Sequence, residues 1–307
     1  MTENINPVLE KLGLSDTDRA VVFHADDIGM LNASNQAWSE LAEGTPMTAA
    51  SVMVPCSWFP AAAKAIVQNE NADVGVHTVL TSEWEAYRWR PISTAGTETG
   101  LLDDDGFLFN ATQPVQENAD VEAATAEMKA QIERALAAGI DVTHIDSHMG
   151  AVFHPRLLEA YIRLGFAYQV PALIMRSTPE GLQQLGFSEQ VANQVIGALQ
   201  FVEAQGMPLF DSITMLPLRE AQSVPERMKY AQNILENYGP GLHYFIFHPA
   251  VESLELKSTA PDWDARAGDY ELFKSEEWAQ IVEDSGVKLV SMRQVRGVLR
   301  AALNSNK

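Results

Sequence analysis

The sequence holds a single cysteine among 307 residues, Cys56, so no disulfide can form within the chain and a reducing compartment is the simpler expectation. No stretch of 18 consecutive apolar residues occurs, which leaves no conventional membrane-spanning helix. The opening segment, MTENINPVLEKLGL, has no basic stretch running into an apolar core, unlike a secretion signal. Basic charge is scarce as well. With 21 Lys and Arg against 41 Asp and Glu, the formal charge is −20, and such a field repels polyanions. The expectation is a cytoplasmic protein that binds neither nucleic acid nor membrane; a homodimer is left open. Familiar catalytic signatures are also missing: G-x-S-x-G, H-E-x-x-H, C-x-x-C and a Gly-rich phosphate loop.

Hydrophobic residues make up 46% and charged residues 20%, an ordinary globular balance. Short β-branched runs occur near 20–24, 50–54, 74–80, 142–146, 172–176, 211–215, 244–248 and 287–291. Amphipathic segments such as FPAAAKAIVQ, VEAATAEMKAQIERALAAG and PERMKYAQNILENYG separate them. A βα repeat with about eight strands reads as an α/β fold with a parallel sheet, closed into a single-domain (β/α) barrel over residues 1–307. An open doubly wound sheet is the alternative. Two connections are long, at about 81–120 and 251–269, and loops of that length are usually functional or mobile.

The unusual polar clusters all fall where a strand ends: HADDIGM (24–30), VGVHTVLT (74–81), HIDSHMG (144–150) and FHPA (247–250). A barrel carries its active site on that rim. Strand side chains alternate, so His144, Asp146 and His148 are expected on one face. Adding Asp27 and His77 yields a His/His/carboxylate set suited to a divalent ion with positions left for water and substrate. Asp26 and His248 remain as a candidate general base and acid.

In order and spacing, ADDIG (25–29), GVH (75–77), LLDDDGFL (101–108), HIDSH (144–148) and HP (248–249) resemble the YdjC family of carbohydrate deacetylases, which includes the ChbG/HpnK-type chitooligosaccharide deacetylases. The resemblance implies a distorted TIM-like barrel holding one divalent ion, Zn²⁺ or Mg²⁺, through Asp27, His77 and His148. It further implies metal-dependent removal of an acetyl group from an N-acetylated sugar or oligosaccharide. In that mechanism Asp26 is the base, His248 the acid, and His144 and Asp146 orient the ligands. Rival readings are hydrolysis of O-acetyl esters or non-sugar amides, and a non-catalytic sugar- or metal-binding relative. One departure stands out: the family commonly continues as DSHxHxH, whereas this chain reads DSHMGAVFHP, with Gly150 and Val152 in place of imidazoles. The segment TSEWEAYRWRP (81–91) also has no clear counterpart. Trp84, Tyr87 and Trp89 are therefore candidates to stack on substrate, with Arg88 anchoring its hydroxyls or an acidic substituent; the alternative is a loop that packs on the barrel or on another subunit.

Overall fold

Alternation along the first strand sets the architecture. The computed structural model describes residues 5–93, 96–184, 186, 188–220 and 223–305. In β1 (Arg19–Ile28), Val21, Phe23 and Ala25 pack into the apolar layer shared with the helices, while Ala20 and Val22 join a separate apolar cluster with Leu242 and Tyr244. A strand covered on both faces belongs to a parallel sheet wrapped in helices. The remaining strands are β2 (Ala49–Val52), β3 (Val74–Thr78), β4 (Ile145–Ser147), β5 (Ser212–Met215), β6 (Gly241–Phe247) and β7 (Lys288–Leu289). All are parallel, in the order β4-β3-β2-β1-β6-β5, with β7 against the start of β1.

The ring closes irregularly between β4 and β5. Here residues 171–176 cross the gap, with Leu173 N donating to Ile145 O at 2.9 Å and Arg176 N to Phe210 O at 2.7 Å. The run at 172–176, expected as a full strand, therefore makes only isolated bridges to its neighbours. Pro171, which has no N–H to give, stands at its entrance. This is the distorted (β/α) barrel that the sequence suggested. Val8 and Leu9 of the helix Pro7–Lys11, with Met292, Val295 and Val298 of the helix Met292–Ser305, pack on the lower interior. The interior is thus apolar at the strand starts and polar at the strand ends.

The predicted helices form at Phe59–Gln68, Val121–Ala137 and Val224–Glu236, and others run Asn32–Leu41 and Pro155–Tyr168. The connection at 251–269, expected as a long loop, is instead mostly helical: Leu254–Thr259 is capped by the Ser253 side chain, and a second helix runs Trp263–Lys274. Among the described residues, no helix is long and apolar enough to cross a membrane.

That second helix carries Asp269, which is fully buried and pairs with the equally buried Arg227 at 2.7 Å, while its other oxygen accepts from His248 N at 2.8 Å. Breaking a buried pair from one side strands the other charge, at about 3–5 kcal/mol. Asp269→Ala is expected to destabilise the protein by that amount in chemical denaturation, and a loss below about 1 kcal/mol would contradict this role.

Candidate metal centre

Consecutive residues on a regular strand face opposite ways, so Asp26 and Asp27 can share a site only if the strand is distorted between them. It is. Asp27 has a positive φ of 67°, and the pairing of β1 with β2 shifts register between Ala25 and Ile28. Such a bulge re-aims a side chain, and Asp is among the few non-glycine residues that tolerate this conformation. Gly29 follows at φ 84°, where a Cβ would also press on Val52 and on Met53 O at 3.1 and 3.2 Å. The sequence ADDIG thus encodes a turn that delivers two adjacent carboxylates to one rim.

Three atoms that could hold a metal ion meet there. Asp27 Oδ1 lies 3.4 Å from His77 Nε2 and 3.3 Å from His148 Nδ1, and the two imidazole nitrogens are 3.2 Å apart. All three residues are buried, and Asp27 Oδ1 has no hydrogen-bond partner among the described residues. A buried carboxylate oxygen left without a donor is costly and calls for an ion or a proton donor in that position.

The other atoms of these residues are firmly held. Asp27 Oδ2 accepts from Arg266 at 2.7 Å, His77 Nδ1 meets Asp146 Oδ1 at 2.8 Å, and His148 Nε2 meets Glu83 Oε2 at 2.9 Å. Each imidazole therefore turns one nitrogen to the triangle and the other to a carboxylate, the arrangement that fixes tautomer and ring orientation in metal sites. The register explains the first of these pairs, because His77 and Asp146 sit directly opposite each other on β3 and β4.

Electrostatics follow from this packing. Burial would raise the Asp27 carboxyl, but the Arg266 guanidinium and the two histidines hold it well below the usual carboxylate range. Burial opposes charge on His148 as well, yet Glu83 and Asp27 push it up to about 9. His77 is raised well above its usual value by Asp146 and Asp26 against the same opposition. A carboxylate-rich pocket that draws positive charge onto its histidines is one that also attracts a cation.

Asp26 stands beside the triangle, its Oδ1 accepting from His24 Nδ1 at 2.6 Å and its Oδ2 3.7 Å from His77 Nε2 and 3.9 Å from His248 Nε2. Behind it, His24 Nε2 meets His144 Nε2 at 2.8 Å, and burial pushes His144 down to about 3, so it stays neutral. His248 is lowered by burial too, and its Nδ1 has no partner among the described residues. A cleft of about 870 Å³ opens over these groups.

The model of the YdjC-like protein family matches residues 20–284, a span that takes in every residue of this centre. The chain belongs to the YdjC-like family. This YdjC-like protein is 34% identical over 263 residues to a carbohydrate deacetylase of Thermus thermophilus, covering 86% of this chain and 89% of that one. It is 27% identical over 162 residues to a carbohydrate deacetylase of Thermoanaerobacter pseudethanolicus, covering 52% and 60% of the two chains. Its fold matches a crystal structure from Enterococcus faecalis, named for cellobiose-phosphate cleavage, with a TM-score of 0.73 at 20% identity over 91% and 99% of the chains.

The structure gathers Asp26, Asp27, His77, His148, Asp146 and His248 around the cleft of this YdjC-like protein, and sets His144 behind them. The four residues from the long loop separate. Trp84 lines the cleft, but Tyr87 and Trp89 pack on it and on each other, with centroids 5.7–6.4 Å apart, and neither is among the cleft-lining residues. Arg88 is spent inside the loop, on Asp103 at 2.7 Å and on Leu108 O at 2.6 Å.

Three residues escaped the sequence reading. His24 lies inside the HADDIGM cluster and shares the alternation phase of Asp26, a signal that was available. Arg266 sits in a segment read as loop, and its i,i+4 spacing from Asp262 was the only hint of helix. Glu83 adjoins Trp84, and nothing in its own spacing marks it.

Gly75 shows how closely the centre is packed, because a Cβ there would lie 2.6 Å from the His144 ring and from its carbonyl oxygen. Gly75→Ala must force β3 from β4, and overpacking of this kind costs about 1–3 kcal/mol. The expected result is that loss in unfolding free energy together with reduced activity; an unchanged unfolding midpoint would contradict the packing.

Proposed function

We propose that this chain is a metal-dependent carbohydrate deacetylase, hydrolysing the acetamide of an N-acetylated sugar or oligosaccharide. The observation that carries the reading is the triangle of Asp27 Oδ1, His77 Nε2 and His148 Nδ1 with an unpartnered carboxylate oxygen at one corner and Asp26 at its edge. The carbohydrate deacetylase relatives support the sugar substrate. Two imidazole nitrogens and one carboxylate oxygen form a donor set that would suit Zn²⁺ or an ion of like preference.

When bound, the ion would polarise the acetyl carbonyl and acidify a water. The chain's own groups do the rest. Asp26 takes a proton from the attacking water, held for this by His24 and, through it, by His144. Oxygen adds to the carbonyl carbon, and the C–N bond then breaks as the nitrogen gains a proton. His248, whose Nε2 is 3.9 Å from Asp26 Oδ2, relays the proton from Asp26 to that nitrogen. Burial keeps His248 neutral at rest, so it is free to accept before it donates. Trp84 offers its ring as part of the cleft wall.

The test is acetate release from N-acetylated and O-acetylated mono- and oligosaccharides, with and without chelator. Chelator-sensitive release from N-acetyl sugars is expected. Release from O-acetyl esters alone, or release indifferent to chelator, would overturn the reading.

A further inference from the structure

The segment 82–89 lines the cleft only with Glu83 and Trp84, and it also touches the candidate metal ligands. Its contacts are of two kinds. Glu83 Oε2 meets His148 Nε2 at 2.9 Å. Trp84 lies over the Arg266 guanidinium at 5.2 Å, and that guanidinium in turn holds Asp27 Oδ2 at 2.7 Å. Trp89 meets the His148 ring edge to face, with centroids 6.1 Å apart. Two of the three triangle corners therefore depend on this segment; the third, His77, is held by Asp146 from within the barrel.

The segment is itself tied down. Ser82 N donates to Phe109 O at 2.7 Å, Trp89 N donates to Ser82 Oγ at 3.0 Å, and Trp89 Nε1 donates to Thr81 O at 2.8 Å. A carboxylate held on such a frame is preorganised.

His148 needs such a constraint more than His77 does. It leaves the regular strand and opens a 3-10 turn in which Met149 and Gly150 both have positive φ, at 53° and 67°. Strand pairing cannot set the ring there. Rotating the imidazole by half a turn would aim a carbon at the triangle in place of Nδ1, and it is the Glu83 bond to Nε2 that selects the productive orientation.

We propose that residues 82–89 form a brace for the metal centre, with Glu83 as the positioning residue that presents His148 Nδ1 to the ion. The proposal rests on the metal reading above. It assigns opposite ring nitrogens to the two ligand histidines, Nε2 of His77 and Nδ1 of His148, each opposed by its own carboxylate.

The experiment titrates the metal-free full-length protein with Zn²⁺ against a chromophoric chelator, and with Co²⁺ followed by its d–d absorption. Glu83→Ala is expected to weaken Zn²⁺ binding about 10- to 100-fold, the usual cost of losing a partner behind a ligand, and to alter the Co²⁺ spectrum. Glu83→Gln, which keeps an acceptor for Nε2, is expected to recover part of that loss. Glu85→Gln, an exposed change on the same segment, should match wild type in both. If Glu83→Ala fails to fold, Glu83→Gln decides: a loss above threefold supports the brace. Binding within threefold of wild type with an unchanged Co²⁺ spectrum, in every Glu83 variant that folds, would overturn it. A wild-type protein that binds neither ion would remove the metal reading and the brace with it, whereas wild-type binding with indifferent Glu83 variants removes the brace alone.

Discussion

His77→Ala is expected to lose divalent-ion affinity by roughly 10²–10³-fold and to lose acetate release at any metal concentration below saturation. The magnitude follows from dividing the ~10–16 kcal/mol apparent binding energy of four-ligand zinc sites among its ligands, about 2.5–4 kcal/mol each. His77 is the most exacting of the three positions to test, because its Nε2 faces Asp27 at 3.4 Å, Asp26 at 3.7 Å and His148 at 3.2 Å, while its Nδ1 is bonded to Asp146. No neighbouring side chain can take over all of those contacts. Isothermal titration with Zn²⁺ measures the loss directly. Wild-type affinity in His77→Ala would mean that the ion, if any, sits elsewhere.

The second large effect separates chemistry from metal binding. Asp26→Asn keeps the size of the side chain and its hydrogen bond to His24, but removes the basic carboxylate. Turnover is expected to fall about 10²- to 10⁴-fold, the usual contribution of a general base. Zn²⁺ affinity should stay within about threefold, because Asp26 Oδ2 lies outside the proposed ligand triangle, 3.7 Å from His77 Nε2. Measuring kcat by acetate release beside a Zn²⁺ titration of the same preparation distinguishes the outcomes. Undiminished kcat would rule out Asp26 as base, and a parallel collapse of affinity would make it a ligand instead.

The barrel was legible because period-2 burial and the βα rhythm come directly from side-chain size and polarity, and the rim clusters marked the reactive end. The meeting of Asp27, His77 and His148 on one rim was readable for the same reason: each ends a strand or follows one closely. What escaped was whatever depended on tertiary contact between distant segments. Arg266 and Asp27 are separated by 239 positions, and only the docking of the helix Trp263–Lys274 joins them. The aromatic segment at 84–89 could be read two ways from sequence for a related reason: Trp and Tyr suit a sugar platform and a buried cluster equally well. Which role each takes depends on the partners it meets, here one another and the Arg266 guanidinium. The missing strand at 172–176 belongs to the same class, since ALIMR has every local mark of a strand but makes only isolated bridges across the gap.

The most direct measurement is an anomalous difference map from a crystal soaked in Zn²⁺, recorded at the zinc absorption edge. One strong peak is expected within ~2.0–2.2 Å of Asp27 Oδ1, His77 Nε2 and His148 Nδ1, the usual range for zinc with oxygen and nitrogen ligands. A principal peak at another place, with these three atoms each more than about 4 Å from it, roughly twice the bonding distance, would contradict it.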